Sequence, residues 1–136
     1  MSTVDPPDRP RSVAEPWSGF ADEQYCYLTT IGRVTGQPHR IEIWFAMDQG
    51  TLYMLSGGGT RSDWVKNLSL KPAVTVEVGT RTFAGRARVV ADSAEDELAR
   101  ALLYDKYAGS YGGDLTGWRR SALPIAVELE QKAIGH

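Results

Sequence analysis

A run of alternating side chains over residues 39–47 is the feature that most constrains how this chain folds. Apolar residues take every second position, and the positions between them include charged side chains. Because successive side chains of a strand point to opposite faces, this pattern predicts a half-buried β-strand. A short glycine-containing turn at 48–50 leads into a second apolar run at 51–55, so we expect an antiparallel hairpin.

The remaining pattern extends this hairpin into a mainly β, α+β fold. Further strands are predicted at 25–31, 74–78, 81–90 and 125–129, because these segments are rich in β-branched and aromatic residues. Helices are predicted after the glycines at 57–59 and from Ser93, which with Asp96 resembles a capping box, to about Tyr107. Six short strands and two to three helices predict a small barrel partly covered by helices. Its predicted core includes Leu28, Ile41, Ile43, Phe45, Val76, Phe83 and Val89.

Length and charge narrow the class of protein. The chain has 136 residues, enough for one domain, and its formal net charge of −2 argues against a nucleic-acid-binding protein. No segment approaches the ~20 apolar residues of a membrane span, so we expect no stable membrane insertion and a cytoplasmic location. Cys26 and two histidines do not form a zinc cluster, so no metal site is predicted.

The charge and the prolines are unevenly distributed along the chain. Residues 1–19 hold four prolines and few apolar side chains, which predicts a flexible arm followed by one domain over 20–136. Residues 33–88 carry eight basic and four acidic side chains, a net charge of +4, whereas the segments on either side each carry −3. An anionic ligand is expected at this middle segment, unless its basic side chains only solvate the outer faces of strands.

Few residues are candidates for covalent or acid–base catalysis. No Gly-x-Ser-x-Gly motif is present, Cys26 has no positioned base near it in the sequence, and His39 is the one histidine away from the chain end. If the protein is an enzyme, a cofactor is therefore expected to supply the reactive atom.

Two glycine loops and one tryptophan suit an anionic, aromatic cofactor. The loop at 32–36 combines glycines with a guanidinium and a hydroxyl, and the loop at 56–59 precedes a helix N-terminus that attracts anions. Each loop also fits a turn that binds no ligand. Trp44, on the polar face of the alternating strand, can stack on a planar ring or cover a neighbouring helix.

Four motifs in order resemble the deazaflavin-dependent nitroreductase family. They are residues 27–36 (YLTTIGRVTG), 55–59 (LSGGG), 63–68 (DWVKNL) and 72–76 (PAVTV). The resemblance implies a six-stranded split β-barrel related to pyridoxamine-phosphate-oxidase-like flavoproteins. It also implies that the chain binds coenzyme F420, a deazaflavin with a phosphate and an oligoglutamate tail, and passes a hydride to a small-molecule electron acceptor such as a quinone, an enone or a nitroaromatic.

Site residues follow from the resemblance, position by position. The cofactor's phosphate and tail are expected at the loop of 32–36 and the strand after it, at Arg33, Val34, Thr35, Gly36, His39 and Arg40. The ring is expected at Ile41, Glu42, Ile43, Trp44, Leu55, Ser56, Gly57, Trp64 and Asn67. Ser56 is a candidate for stabilising developing negative charge, and Tyr107 and Tyr111 are candidate proton donors beside the acceptor.

Two departures from the family pattern leave alternatives open. Many members carry a lysine where this chain has Val34, and another where it has Gly57. With two positive charges missing, an FMN-binding oxidoreductase of the same superfamily remains an alternative, as does a non-catalytic carrier of flavin, haem or lipid. A homodimer is also left open.

Overall fold

A computed structural model describes residues 20–134 of the chain. The predicted arm at 1–19 lies outside the described residues, as do the last two residues. Seven strands form one antiparallel sheet: β1 (Cys26–Ile31), β2 (Pro38–Ile43), β3 (Ala46–Asp48), β4 (Thr51–Ser56), β5 (Ala73–Val78), β6 (Arg81–Val89) and β7 (Leu123–Ile134). Their order across the sheet is β2-β1-β5-β6-β7-β4-β3.

The sheet curls because β2 and β3 lie at its opposite edges. Only Trp44 and Phe45 separate these two strands in the sequence, so the edges must approach each other and the sheet forms a half-barrel. The expectation of a single strand over 39–47 was wrong at this point. Phe45 is fully buried, and its N–H and C=O both bind the Tyr107 hydroxyl instead of a neighbouring strand. The break explains why seven strands are found where six were predicted.

Both predicted hairpins are present. β3 and β4 pair around a two-residue turn at 49–50, where Gln49 takes a positive φ of 57°. β5 and β6 pair around the second turn, where Gly79 has a φ of 59° that glycine adopts without strain.

Three α-helices cover parts of the sheet: α1 (Asp63–Leu70), α2 (Ser93–Tyr107) and α3 (Thr116–Ser121), with a single 3₁₀ turn at Gly59–Arg61 before α1. The start of α2 differs by one residue from the predicted capping box. Asp92 is the N-cap, and its carboxylate accepts the Glu95 N–H at 2.9 Å. Within residues 20–134, no helix is long and apolar enough to cross a membrane.

Apolar side chains pack on both sides of the sheet. One cluster fills the half-barrel, and a second lies between the sheet and α2, so that β4 is buried on both faces. Of the predicted core, Leu28, Phe45, Val76 and Phe83 are fully buried, while Ile41, Ile43 and Val89 are half-buried against the first cluster.

Candidate functional site

Among residues 20–134, three clefts lie near the edge strand β2 and the start of α1. The loop cleft, of about 550 Å³, is lined by Gly32, Arg33, Val34, Thr35, Pro38, His39, Arg40, Ile41, Asp63, Trp64 and Asn67. The tryptophan cleft, of about 260 Å³, is lined by Glu42, Ile43, Trp44, Leu55 and Trp118. The glycine cleft, of about 450 Å³, is lined by residues 57–61 and Ser121. The first part of β2 lines the loop cleft and its last two residues line the tryptophan cleft, so these two clefts are neighbours along the strand.

The loop at 32–36 has the geometry of an anion-binding turn. Gly36 has a φ of 77°, and its N–H donates to the Gly32 carbonyl at 2.9 Å, which closes the turn. Among residues 20–134, the N–H groups of Val34 and Thr35 have no hydrogen-bond partner in the protein. Successive free N–H groups in a tight turn form a concave surface that suits a phosphate or carboxylate oxygen.

Glycine is required at the base of this loop. A Cβ on Gly32 would lie 2.9 Å from the Nε2 of His39 and 2.9 Å from the hydroxyl oxygen of Thr35. The absence of a side chain therefore allows both polar groups to approach the backbone of the loop. A cradle of this kind fits an anionic group in the loop cleft.

Asn67 fixes the loop to α1. Its side chain is 3% exposed, and its Oδ1 accepts both the Arg33 N–H at 3.1 Å and Arg33 Nη1 at 2.8 Å. Its Nδ2 donates to the Thr30 hydroxyl at 3.3 Å. Since the amide is already engaged, Asn67 lines the loop cleft as a support for the loop.

Both arginines of the loop cleft are paired with carboxylates. The Arg33 guanidinium lies 3.3 Å from the carboxylate of Asp63. Arg40 makes a bidentate pair with Glu77, at 3.0 and 3.1 Å, and its guanidinium lies 3.9 Å from the centre of the Tyr27 ring. Hydrogen bonds from Arg40 hold the pKa of Glu77 below its usual range. These pairs reduce the positive charge that an anion meets in the cleft.

Aromatic rings meet at the tryptophan cleft. The Trp44 indole stacks on the Tyr107 ring, with centroids 4.1 Å apart and planes within 5°. The rings of Tyr111 and Trp118 contact it edge-on, at 5.6 and 5.5 Å. One face of Trp44 is therefore covered by a protein ring rather than free for a cofactor. The sequence analysis did not assign Trp118, which lies in α3, to the site. Its position five residues before β7 was the one sequence feature that could have indicated it.

Tyr107 occupies a different place from the one expected of a proton donor. Its side chain is 1% exposed, and its hydroxyl is shared among the carbonyls of Gln24, at 2.7 Å, and Phe45, at 3.0 Å, while it accepts the Phe45 N–H. Burial raises the pKa of Tyr107 to about 12. It is one of the largest fully buried side chains, so it supports Trp44 from the core side.

Tyr111 and Ser56 differ in accessibility. Tyr111 is 48% exposed and reaches the edge of Trp44. Ser56 is 1% exposed, and its hydroxyl contacts the Gly59 carbonyl and the Ser62 hydroxyl, each at 3.1 Å. Ser62 is the N-cap of α1, but its side chain makes no capping bond, so within residues 20–134 the first N–H groups of that helix stay open. The buried Ser56 hydroxyl therefore stabilises the glycine loop through its contacts with Gly59 and Ser62 and lines none of the three clefts.

The fold thus brings most of the expected residues to two adjoining clefts. Eight of them line the loop cleft, and four line the tryptophan cleft. Gly57 lies in the glycine cleft, and Gly36, Ser56, Tyr107 and Tyr111 line none of the three. Among residues 20–134, no cluster of three or more metal-binding side chains is present.

A curled antiparallel sheet with clefts along its edge strand defines a split β-barrel protein. Solved structures with this fold include an F420 reductase (24% identity, TM-score 0.61, covering 85% of this chain and 94% of that one). A Listeria innocua protein named for pyridoxamine 5′-phosphate oxidase is similar at 20% identity and a TM-score of 0.64, covering 88% of this chain and 94% of that one. The heme storage protein HutZ of Vibrio cholerae is similar at 16% identity and a TM-score of 0.67, covering 89% of this chain and 93% of that one. At these identities the likeness shows the fold.

The family is shown by a match over most of the chain. A family model described as F420H(2)-dependent quinone reductase matches residues 11–130. The chain belongs to this family. The membership confirms the resemblance to deazaflavin-dependent proteins and with it an F420-dependent oxidoreductase class, with coenzyme F420 as the cofactor.

Proposed function

We propose that this protein binds reduced coenzyme F420 along β2 and passes a hydride to a small electron-poor acceptor, a quinone, an enone or a nitroaromatic. The observation that carries the proposal is that consecutive residues of β2 line the loop cleft and then the tryptophan cleft. An anion-binding turn at one end and aromatic rings at the other suit a cofactor with an anionic tail and a planar ring.

The loop cleft is the proposed site for the phosphate and tail. The free N–H groups of Val34 and Thr35 and the open N-terminus of α1 donate to oxygen atoms there. Arg33, 27% exposed in its side chain, adds a charge-assisted hydrogen bond, and His39 and Arg40 complete the wall. Gly36 keeps the turn closed.

The ring end is proposed at Ile41–Trp44 and Leu55. β2 is an edge strand, so one side of its backbone is unpaired and can hydrogen-bond the polar edge of a planar ring. Trp64, Asn67, Ser56 and Gly57 support or border this region rather than cover it. When bound and reduced, the cofactor supplies the hydride, and the surrounding apolar side chains exclude water.

The acceptor is proposed to lie against the half-buried rings of the tryptophan cleft. Trp44 and Trp118 offer apolar surfaces, and Tyr111 is the exposed one of the two candidate tyrosines. Tyr111 therefore takes the role of proton donor to the reduced acceptor. Tyr107 holds Trp44 in place, and Ser56 holds the glycine loop.

The test is turnover with defined acceptors. Purified protein is mixed with reduced F420 and menadione, a cyclic enone or a nitroaromatic, and recovery of the oxidised cofactor's visible absorbance is followed against a protein-free control. We expect protein-dependent oxidation with at least one acceptor. Tyr111→Phe should lower kcat on the order of 100-fold, whereas Tyr25→Phe, which changes an exposed tyrosine outside the clefts, should not. Binding of F420 without turnover of any acceptor would favour a carrier instead.

FMN is the second candidate cofactor. The pairing of Arg33 with Asp63 and of Arg40 with Glu77 leaves less free positive charge than an oligoglutamate tail would use, which favours a ligand with a single phosphate. A yellow protein from a host that makes no deazaflavin would support FMN.

A homodimer and a cytoplasmic location stay predictions. One structural neighbour is described as a domain-swapped dimer.

A further inference from the structure

One carboxylate in the loop cleft already holds the guanidinium to which the proposed function assigns the cofactor's anionic end. Asp63 is the first residue of α1, and its Oδ1 lies 3.3 Å from Arg33 Nη2. Both residues line the loop cleft. The Asp63 side chain is 84% exposed, so the carboxylate end of this ion pair is open to water.

We propose that Asp63 competes with the ligand for Arg33 and so sets how tightly the loop cleft binds an anion. A phosphate or carboxylate oxygen that accepts the Nη2–H now donated to Asp63 displaces the Asp63 carboxylate. This inference rests on the proposed function, because it assumes that the anionic end of the cofactor lies in the loop cleft.

The two side chains that contact the Arg33 guanidinium differ in how easily they are exchanged. Its contact with Asn67, at 2.8 Å, is held by a side chain that is 3% exposed and tied to Thr30. Its contact with Asp63 is longer and open to water, and exposed ion pairs are weak. A ligand oxygen therefore replaces Asp63 while Asn67 continues to orient the guanidinium.

Asp63 also has a favourable position when it is displaced. It lies in the first turn of α1, where the helix dipole stabilises a negative charge. The dipole therefore still stabilises the Asp63 carboxylate after it has separated from Arg33. Its charge nonetheless stays in the cleft and repels the incoming anion.

The net charge of the four paired side chains at the loop cleft also depends on Asp63. The charges of Arg33, Arg40, Asp63 and Glu77 sum to zero, and Asp63→Asn raises this sum to +1.

The experiment compares affinities in a double-mutant cycle. Oxidised F420 and, separately, inorganic pyrophosphate are titrated into wild type, Asp63→Asn, Arg33→Ala and the double variant at low and at raised salt. Glu97→Gln is the matched control, because it removes one carboxylate from a surface ion pair with Arg119 that lines none of the three clefts. Melting temperatures confirm that each variant is folded.

We expect Asp63→Asn to bind about three- to tenfold more tightly than wild type, with a steeper loss of affinity as salt rises. The gain should be clearly smaller in the Arg33→Ala background, where only the direct repulsion by Asp63 is removed, and Glu97→Gln should match wild type. An unchanged affinity in Asp63→Asn, or a gain of the same size without Arg33, overturns the inference. If F420 fails to bind but pyrophosphate binds with this Asp63 dependence, the inference stands and the proposed function fails; if neither binds, both fail.

Discussion

Replacing Tyr107 with phenylalanine separates a structural role from a catalytic one. The substitution removes only the hydroxyl, which accepts the Phe45 N–H at 3.0 Å and donates to the carbonyl of Gln24 or Phe45. Phe45 is fully buried at the break between β2 and β3, so its N–H would lose its partner away from water. An unpaired buried polar group costs about 1–3 kcal/mol.

The expected result is a loss of stability. For a chain of this size, about 1–3 kcal/mol corresponds to a fall in Tm of roughly 4–12 °C. Urea unfolding followed by tryptophan fluorescence gives the free energy of unfolding directly. Tyr104→Phe is the matched control: it lies on the same helix, is half-buried, and its hydroxyl has no hydrogen-bond partner among residues 20–134, so its loss should change stability by no more than about 0.5 kcal/mol.

A different outcome would refute this reasoning. If Tyr107→Phe is as stable as wild type but turns over acceptors far more slowly, the hydroxyl takes part in proton transfer and the buried network is not its main role. The raised pKa of Tyr107, about 12 because of burial, agrees with a hydroxyl that keeps its proton at neutral pH.

Two further predictions concern the sheet and its surface. A Cβ at Gly85 would lie 2.7 Å from Val127 Cγ1, so Gly85→Ala should lower the free energy of unfolding by about 1–3 kcal/mol, and an unchanged urea midpoint would contradict the packing described. Hydrogen bonds from Arg88 and Tyr53 lower the pKa of Glu95 to about 2. Since this folded-state pKa lies below the usual 4.5, the stabilisation is complete above about pH 4.5 and is lost as the pH falls toward 2. The Tm difference between wild type and Glu95→Gln should shrink over that range, and a constant difference would count against the assignment.

The hairpins and helices were predictable because they depend on local signals. Alternation and a glycine-containing turn place β3–β4 and β5–β6, and apolar spacing places α2. The break at Trp44 and Phe45 was not predictable, because the alternation continues through it. What ends β2 is a tertiary contact, the hydroxyl of Tyr107, which lies 62 residues further along the chain.

That the expected site residues lie close together was predictable from the sequence, but their side-chain partners were not. The motifs identified the walls of the loop cleft, since glycines, Arg33 and Thr35 occur close together in sequence. The partners that neutralise the arginines, Asp63 and Glu77, come from other elements, and a sequence does not show which carboxylate reaches which guanidinium. Burial of Tyr107 likewise depends on how α2 packs.

Side-by-side titration with oxidised coenzyme F420 and FMN tests the central claim most directly. Cofactor fluorescence or calorimetry gives Kd for each ligand with wild type and with Arg33→Ala. We expect saturable F420 binding that is tighter than FMN binding and about 10- to 100-fold weaker in the variant, because a charge-assisted hydrogen bond is lost. Saturable FMN binding with no F420 binding, or the same Kd for F420 in wild type and Arg33→Ala, would contradict the account.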